Sequence, residues 1–182
     1  MKIVFVIVGA GNNAVIGPPL NDFLSFGLKD GYPEFRFDVG SDPAILVSPK
    51  SVTMGQWHTV RIVRDRKNGK LIILDNKGSN ETVIRGSVPD GRLQGLDLRG
   101  PLYLGSVPST ISRDGGGKSE LMVLVRQQTG LNSGFVGCIS RLVISGRVIK
   151  DISPVYNEKK TVNNLMDSAT LRVRNNQKLI CH

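Results

Sequence analysis

Two cysteines are the residues whose chemistry is easiest to anticipate, because they are the only thiols in the 182-residue chain. Cys138 lies in an apolar segment flanked by glycines, and Cys181 is the penultimate residue. One disulfide bridge is the simplest pairing, and by closing a loop of about 43 residues it would stabilise the fold by about 4 kcal/mol. Such a bridge predicts an oxidising compartment, and therefore a secreted or cell-surface module. The alternative is a pair of unrelated reduced thiols in a cytosolic protein.

Positive charge is the second chemical feature. Lysine and arginine number 24 against 15 acidic residues, which gives a formal net charge of +9 and favours polyanionic partners. The densest basic group is predicted to bind acidic glycans: Arg61, Arg64, Arg66, Lys67 and Lys70. A second basic group follows later in the chain: Arg141, Arg147 and Lys150. The alternative is a solvated hairpin, and nucleic acid is disfavoured because few aromatic residues are interleaved to stack bases.

The triplet Asn80–Thr82, with the sequence Asn-Glu-Thr, fits the acceptor pattern for N-glycosylation. It lies in a polar segment that follows an expected strand, where a surface attachment site is required. We therefore predict glycosylation at Asn80, in agreement with the oxidising compartment that the cysteines indicate.

Catalysis has little support in the sequence. The two histidines, His58 and His182, are not accompanied by a serine or cysteine nucleophile in a recognisable context. Residues Gly9–Ala14 fit the dinucleotide-binding pattern G-x-G-x-x-A, which requires a helix to begin there. Residues Gly17–Pro19 would end that helix within two turns. We therefore predict a protein that is not an enzyme.

Short apolar segments alternate with turn residues from residue 23 onward, at the spacing of about 8–12 residues that is typical of all-β sandwiches and barrels. Glu34–Val39 alternates with Phe35 and Phe37 on one face, and Trp57–Arg64 is predicted to form another strand. The Asn-Gly pair within Lys67–Lys70 favours a type I′ hairpin turn. Further strands are predicted at Leu71–Leu74, Leu102–Leu104, Leu121–Val125, Phe135–Ile144, Arg147–Ile149, Leu171–Val173 and Leu179–Cys181.

The apolar run Ile3–Val8 leaves two interpretations open. It is either a buried strand or the short apolar region of a signal peptide with a poor cleavage site. No segment of the chain approaches the roughly 18 consecutive apolar residues that a membrane span needs.

Several motifs follow one another in an order typical of one family: Asp22–Phe26, Asp30–Gly31, Glu34–Ala44, Gly55–Val60, Gly95–Asp97, Pro101–Pro108 and Gly134–Ile139. Together with Cys181 they resemble a laminin G-like domain of the agrin, perlecan and pikachurin type. The resemblance implies an antiparallel β-sandwich of the jelly-roll, concanavalin A-like kind over residues 22–182. Residues 1–21 do not resemble the two strands that the family has before this point. The chain is then either a fragment, or Ile3–Val8 replaces one of those strands.

The resemblance also implies a weak calcium site at the rim of the sandwich. Carried over position by position, its ligands are the side chains of Asp42 and Asp97 and the carbonyl groups of Thr59 and Gly95. The oxygen donors suit Ca²⁺, which takes 6–8 of them. The implied function is a secreted, calcium-assisted adhesion module of the extracellular matrix, part of a larger protein. Its implied partners are heparan sulfate, dystroglycan-type glycans or cell-surface receptors. A receptor-binding module of the same fold that needs no calcium is the alternative.

Overall fold

The computed structural model describes residues 4–9, 22–40, 42–75, 78–90, 94–96, 102–104, 135, 138–149 and 168–174. All regular elements in these ranges are β-strands, which we number β1 to β11 in chain order. They are β1 Val4–Gly9, β2 Asp22–Lys29, β3 Tyr32–Val39, β4 Ala44–Val47, β5 Trp57–Asp65, β6 Asn68–Leu74, β7 Glu81–Ser87, β8 Leu102–Leu104, β9 Cys138–Ile144, β10 Arg147–Ile149 and β11 Ser168–Arg174. No helix long and apolar enough to cross a membrane occurs within the described ranges.

The strands form two antiparallel sheets that pack face to face. The five-stranded sheet has the order β4-β3-β2-β1-β8, and the six-stranded sheet has the order β10-β9-β11-β5-β6-β7. One apolar cluster joins their inner faces, with Leu24 and Phe26 from the first sheet and Val60 and Leu71 from the second. The prediction of an all-β antiparallel sandwich is confirmed, and three strands that the periodicity did not indicate, β2, β4 and β7, belong to it.

The N-terminal apolar run is a strand of the five-stranded sheet. Val4–Gly9 pairs antiparallel with β2 on one side and with β8 on the other. Of the two interpretations of this run, the structure therefore supports the strand. Because β1 and the next strand, β2, are antiparallel neighbours, they do not form the parallel βαβ unit that the dinucleotide pattern would need.

Two aromatic side chains of β3 pack against β6 of the opposite sheet. Phe35 and Phe37 are fully buried on β3, and their ring centroids lie 5.3 Å apart. Both rings point at Gly69 on β6, where an added Cβ would come within 2.4 Å of Cε1 of Phe37. Gly69 is therefore required for this close approach between strand and ring.

The hairpin turn between β5 and β6 lies two residues before the position predicted for it at Asn68–Gly69. Asp65 pairs with Asn68, so the turn between β5 and β6 consists of Arg66 and Lys67, and Arg66 takes the positive φ of 53°. Gly69 lies within the strand because the Phe37 ring occupies the space that a side chain would need. The turn predicted from the Asn-Gly pair is therefore wrong, because Gly69 makes room for the Phe37 ring.

Two other hairpins have the turn chemistry that the sequence indicates. Asp30–Gly31 joins β2 to β3 with φ angles of 53° and 86°, and Ser145–Gly146 joins β9 to β10 with φ angles of 46° and 77°. Two consecutive residues of positive φ define the type I′ turn, which matches the twist of the flanking strands. The strand predicted at Arg147–Ile149 is confirmed, and the Ser145–Gly146 turn leads into it.

The polar residues of β3 are less exposed than simple alternation predicts. Glu34 and Asp38 are each only 6% exposed. The Arg36 guanidinium forms an ion pair with Glu34, and the Gly40 amide donates to Oδ1 of Asp38 at 2.8 Å. These contacts satisfy polar groups that would otherwise be costly to bury. The predicted strands at Leu121–Val125 and Leu179–Cys181 lie outside the described residues.

Candidate ligand-binding surface

The outward face of the six-stranded sheet displays basic side chains on three neighbouring strands. On β5, Arg61 is exposed between Val60 and Ile62, which are buried. On β6, Lys70 lies between the buried residues Gly69 and Leu71. Because successive side chains of a strand point to opposite faces, these basic groups point away from the core.

Arg85 on β7 completes this group. It is exposed, and its neighbour Ile84 packs against the core. Lys70 lies directly opposite Arg85, while Arg61 lies opposite Ile72 and is therefore a diagonal neighbour of Lys70. Diagonal neighbours are about 7–8 Å apart. We call Arg61, Lys70 and Arg85 the basic face.

The other basic residues predicted to bind glycans lie at the end of the β5–β6 hairpin. Nη1 of Arg64 donates to the carbonyl of Arg66 at 2.6 Å and to that of Gln94 at 3.4 Å. Nζ of Lys67 is 3.9 Å from Oδ1 of Asp90. The exposed Arg66 is the first residue of the turn. The structure therefore brings Arg61 and Lys70 together and separates them from a turn group of Arg64, Arg66 and Lys67.

Arg85 was missed in the sequence because it is remote along the chain from the basic hairpin. Only the pairing of β6 with β7 brings it opposite Lys70. The basic residue that directly follows the apolar pair Val83 and Ile84 was the available signal, but it does not by itself reveal the register.

The positions predicted to bind calcium are distributed over loops and one strand. Asp42 is exposed in the connection between β3 and β4, and Gly95 is exposed in the segment after β7. Thr59 lies within β5, where it pairs with Leu74 of β6 and in backbone register with Arg172 of β11. Asp97 lies outside the described residues.

The oxygen ligands that the described residues offer are not equally suited to Ca²⁺. The exposed Asp42 and Gly95 offer a carboxylate and a loop carbonyl, both suitable oxygen ligands. The Thr59 carbonyl belongs to β5, which is paired with a strand on each side. To coordinate Ca²⁺, this carbonyl would have to use a lone pair that is not engaged in hydrogen bonding between strands. Within the described ranges, no three His, Cys, Asp or Glu residues cluster in a way that could hold a metal ion.

Asn80 lies in an exposed turn that is stabilised by hydrogen bonds to Asp75. Nδ2 of Asn80 donates to Oδ2 of Asp75 at 2.8 Å, and the Ser79 amide donates to Oδ1 at 2.9 Å. The Asp75 amide in turn donates to the Asn80 carbonyl at 3.2 Å. Asn80 is thus exposed directly before β7, and glycosylation there stays a prediction.

Expression in cells that secrete and glycosylate the chain should give a glycosidase-sensitive mass increase. Asn80→Gln and Thr82→Ala should both abolish it, because each destroys the acceptor triplet. Thr82→Ser preserves the triplet and should keep the modification. Mass spectrometry of the intact secreted chain makes the measurement, and a wild-type mass without glycan would contradict the prediction.

Cys138, the first residue of β9, is buried, at 2% exposure. Its backbone pairs with Arg174 of β11. Cys181 lies outside the described residues, so the bridge between the two remains a prediction.

Comparison with known proteins identifies the family. A family model described as the laminin G domain matches residues 10–147. The chain is 41% identical over 128 residues to the mouse basement membrane-specific heparan sulfate proteoglycan core protein, covering 70% of this chain and 3% of that protein. It is 37% identical over 133 residues to human pikachurin, covering 73% of this chain and 11% of that protein. It is 32% identical over 130 residues to mouse neurexin-2, covering 70% and 7% respectively.

The fold and these matches agree. The chain belongs to the laminin G domain family, and its two antiparallel sheets form the jelly-roll sandwich of that family. No solved structure matches the chain significantly. The chain spans only 3% to 11% of the lengths of these relatives.

Proposed function

We propose that this domain is a non-catalytic binding module of a secreted matrix or cell-surface protein, and that its ligands are acidic glycans of the heparan sulfate or dystroglycan type. The observation that carries the proposal is the basic face. Within the described part of the chain, none of Arg61, Lys70 and Arg85 has a carboxylate at ion-pair distance. Their charges are therefore available to an external anion.

The arrangement of the basic face is unfavourable for the isolated domain. Like charges directly opposite each other on neighbouring strands destabilise a sheet, and Lys70 and Arg85 form such a pair. A bound polyanion would neutralise both of these charges. The pair therefore has a physical role in ligand binding, although it does not stabilise the free domain. The net charge of +9 adds a long-range attraction for the same ligands.

The relatives support the compartment. One is by name the core protein of a basement membrane heparan sulfate proteoglycan. Because the chain covers so little of each relative, we propose that other domains accompany it in a larger protein. The two cysteines and the Asn80 triplet agree with an extracellular location.

Binding to immobilised heparin tests this function. The full chain should elute from heparin at a higher salt concentration than from a sulfonate cation exchanger, because a defined surface gains more than net charge alone provides. Elution at the same salt concentration from both resins would contradict the proposal.

We further propose that Ca²⁺ assists binding through Asp42, Asp97 and the carbonyls of Gly95 and Thr59. The bound ion would supply a positive charge with coordination positions open to sugar oxygens. Asp42 is the described side chain best placed for this role, because its carboxylate is exposed in a short loop.

Calorimetry with Ca²⁺ should show a dissociation constant of about 10⁻⁴–10⁻³ M, the range of weak extracellular sites. Asp42→Ala should lose this heat, because it removes one of only two side-chain ligands. Glu81→Ala removes another exposed carboxylate, at the start of β7, and should leave the heat unchanged. A heat for Asp42→Ala equal to that of the wild type would refute the assignment.

A second candidate is a protein-binding module that needs no calcium. Ile45 and Val47 are 50% and 45% exposed on β4, the edge strand of the five-stranded sheet. Exposed apolar side chains on an edge strand favour contact with another protein. Insensitivity of ligand binding to a chelator would favour this candidate.

A further inference from the structure

The basic face continues across the six-stranded sheet. On β9, Arg141 is exposed beside the buried Leu142, so it points outward. The register places Arg141 opposite Arg172 of β11, and it places Arg61 opposite Thr170, two residues from Arg172. The positions that carry positive charge on β9, β11, β5, β6 and β7 are thus each opposite or diagonal to the next.

We call this series the basic stripe: Arg141, Arg172, Arg61, Lys70 and Arg85. With strands about 4.8 Å apart and about 3.3 Å per residue, it runs diagonally over about 23 Å between its end positions. On β11 a second basic position, Arg174, follows Arg172 by two residues, in register with Trp57 of β5. The outward neighbours Val63, Ile72, Val83 and Val143 are half-buried or buried, whereas Arg61, Arg85 and Arg141 are exposed.

Acidic residues lie on both sides of the stripe. Asp65 is exposed at the end of β5, four residues beyond Arg61, and Glu81 is exposed at the start of β7, four residues before Arg85. The cross-strand register puts them on opposite sides of the diagonal. A flat anionic surface pressed against the whole sheet would meet both carboxylates, whereas a narrow chain along the diagonal would avoid them.

We propose that a linear sulfated polysaccharide lies along the basic stripe, one anionic group near each strand of the sheet from β9 to β7. The proposal rests on the proposed function and assigns the site within it. Charge complementarity selects the ligand class, because a diagonal series of basic positions with a carboxylate on either side matches a linear polyanion. Arg85 and Arg141 mark the ends of the site, and neither belongs to the turn group.

The test compares three variants of the full chain in calorimetry with a heparin decasaccharide at about 0.15 M salt, where long-range attraction is screened. Arg85→Gln with Arg141→Gln removes both ends of the stripe and should weaken binding about tenfold. Lys29→Gln with Lys50→Gln removes the same charge from exposed positions elsewhere and should change it less than about twofold. Arg64→Gln with Arg66→Gln and Lys67→Gln tests the turn group.

Equal losses in the stripe and control variants would overturn the stripe while leaving a glycan-binding function in place. So would a large loss that is confined to the turn group. Failure of the wild type to bind heparin would overturn the proposed function itself. Vesicles containing phosphatidylserine are the second probe: binding as tight as that of heparin, with the same loss in the stripe variant, would refute the polysaccharide assignment.

Discussion

Replacing Phe37 by alanine is expected to lower the free energy of unfolding by about 3–5 kcal/mol. The ring is fully buried and fills the space between β3 and β6 over Gly69. Its loss leaves a cavity that the glycine backbone opposite cannot fill. Since domains of this size are stable by only about 5–15 kcal/mol, the variant should lose a large fraction of its stability.

Urea denaturation followed by the fluorescence of Trp57, the single tryptophan, measures the effect. Val47→Ala, on an exposed part of β4, is the control and should change stability by less than about 0.5 kcal/mol. Gly69→Ala in the Phe37→Ala background should cost less than Gly69→Ala in the wild type, because the clashing ring is gone. A Phe37→Ala chain as stable as the control would contradict the packing described.

Loss of the predicted disulfide is expected to have the second large effect. Cys181→Ala should lower the free energy of unfolding by about 2–5 kcal/mol, because the loop back to Cys138 is then no longer closed in the unfolded state. Cys138→Ala should do the same, with an added cost for the buried side chain. Reductant should lower the melting temperature of the wild type and leave that of either variant unchanged.

Thiol titration in denaturant provides the control for this experiment. The wild type should show no reactive thiol without reductant and two with it. Two reactive thiols in both conditions would show that the cysteines are not bridged, and would remove one argument for an oxidising compartment.

The sequence predicted the class of fold because alternation along strands such as β3 and β5 reports their buried faces directly. Phe35 and Phe37 on β3, and Val60 and Ile62 on β5, are buried as the period of two predicts. Strands β2, β4 and β7 gave weaker signals. In β2 both faces are buried from Phe23 to Leu28, so no alternation remains to be detected. In β7 no residue is fully buried.

The candidate site was only partly accessible from sequence. Grouping by proximity along the chain joined Arg61 and Lys70 to the turn residues Arg66 and Lys67, although strand pairing separates the two sets. The same grouping left out Arg85 and kept Arg141 apart, since cross-strand register is a tertiary property. The turn between β5 and β6 was predicted at the wrong position for a related reason. An Asn-Gly pair looks the same in the sequence whether its glycine forms a turn or makes room for an aromatic ring of the opposite sheet.

A second glycine lies next to Gly69 on the neighbouring strand. Gly69 pairs with Gly86 of β7, where an added Cβ would lie 3.2 Å from Leu46 of β4. Two large side chains of one sheet thus fit against two bare backbone positions of the other. A side chain at position 69 is therefore compatible with this packing only when the residue at position 37 is smaller, and one at position 86 requires Leu46 to shift by a few tenths of an ångström. Any redesign of this sandwich has to treat each pair as one unit.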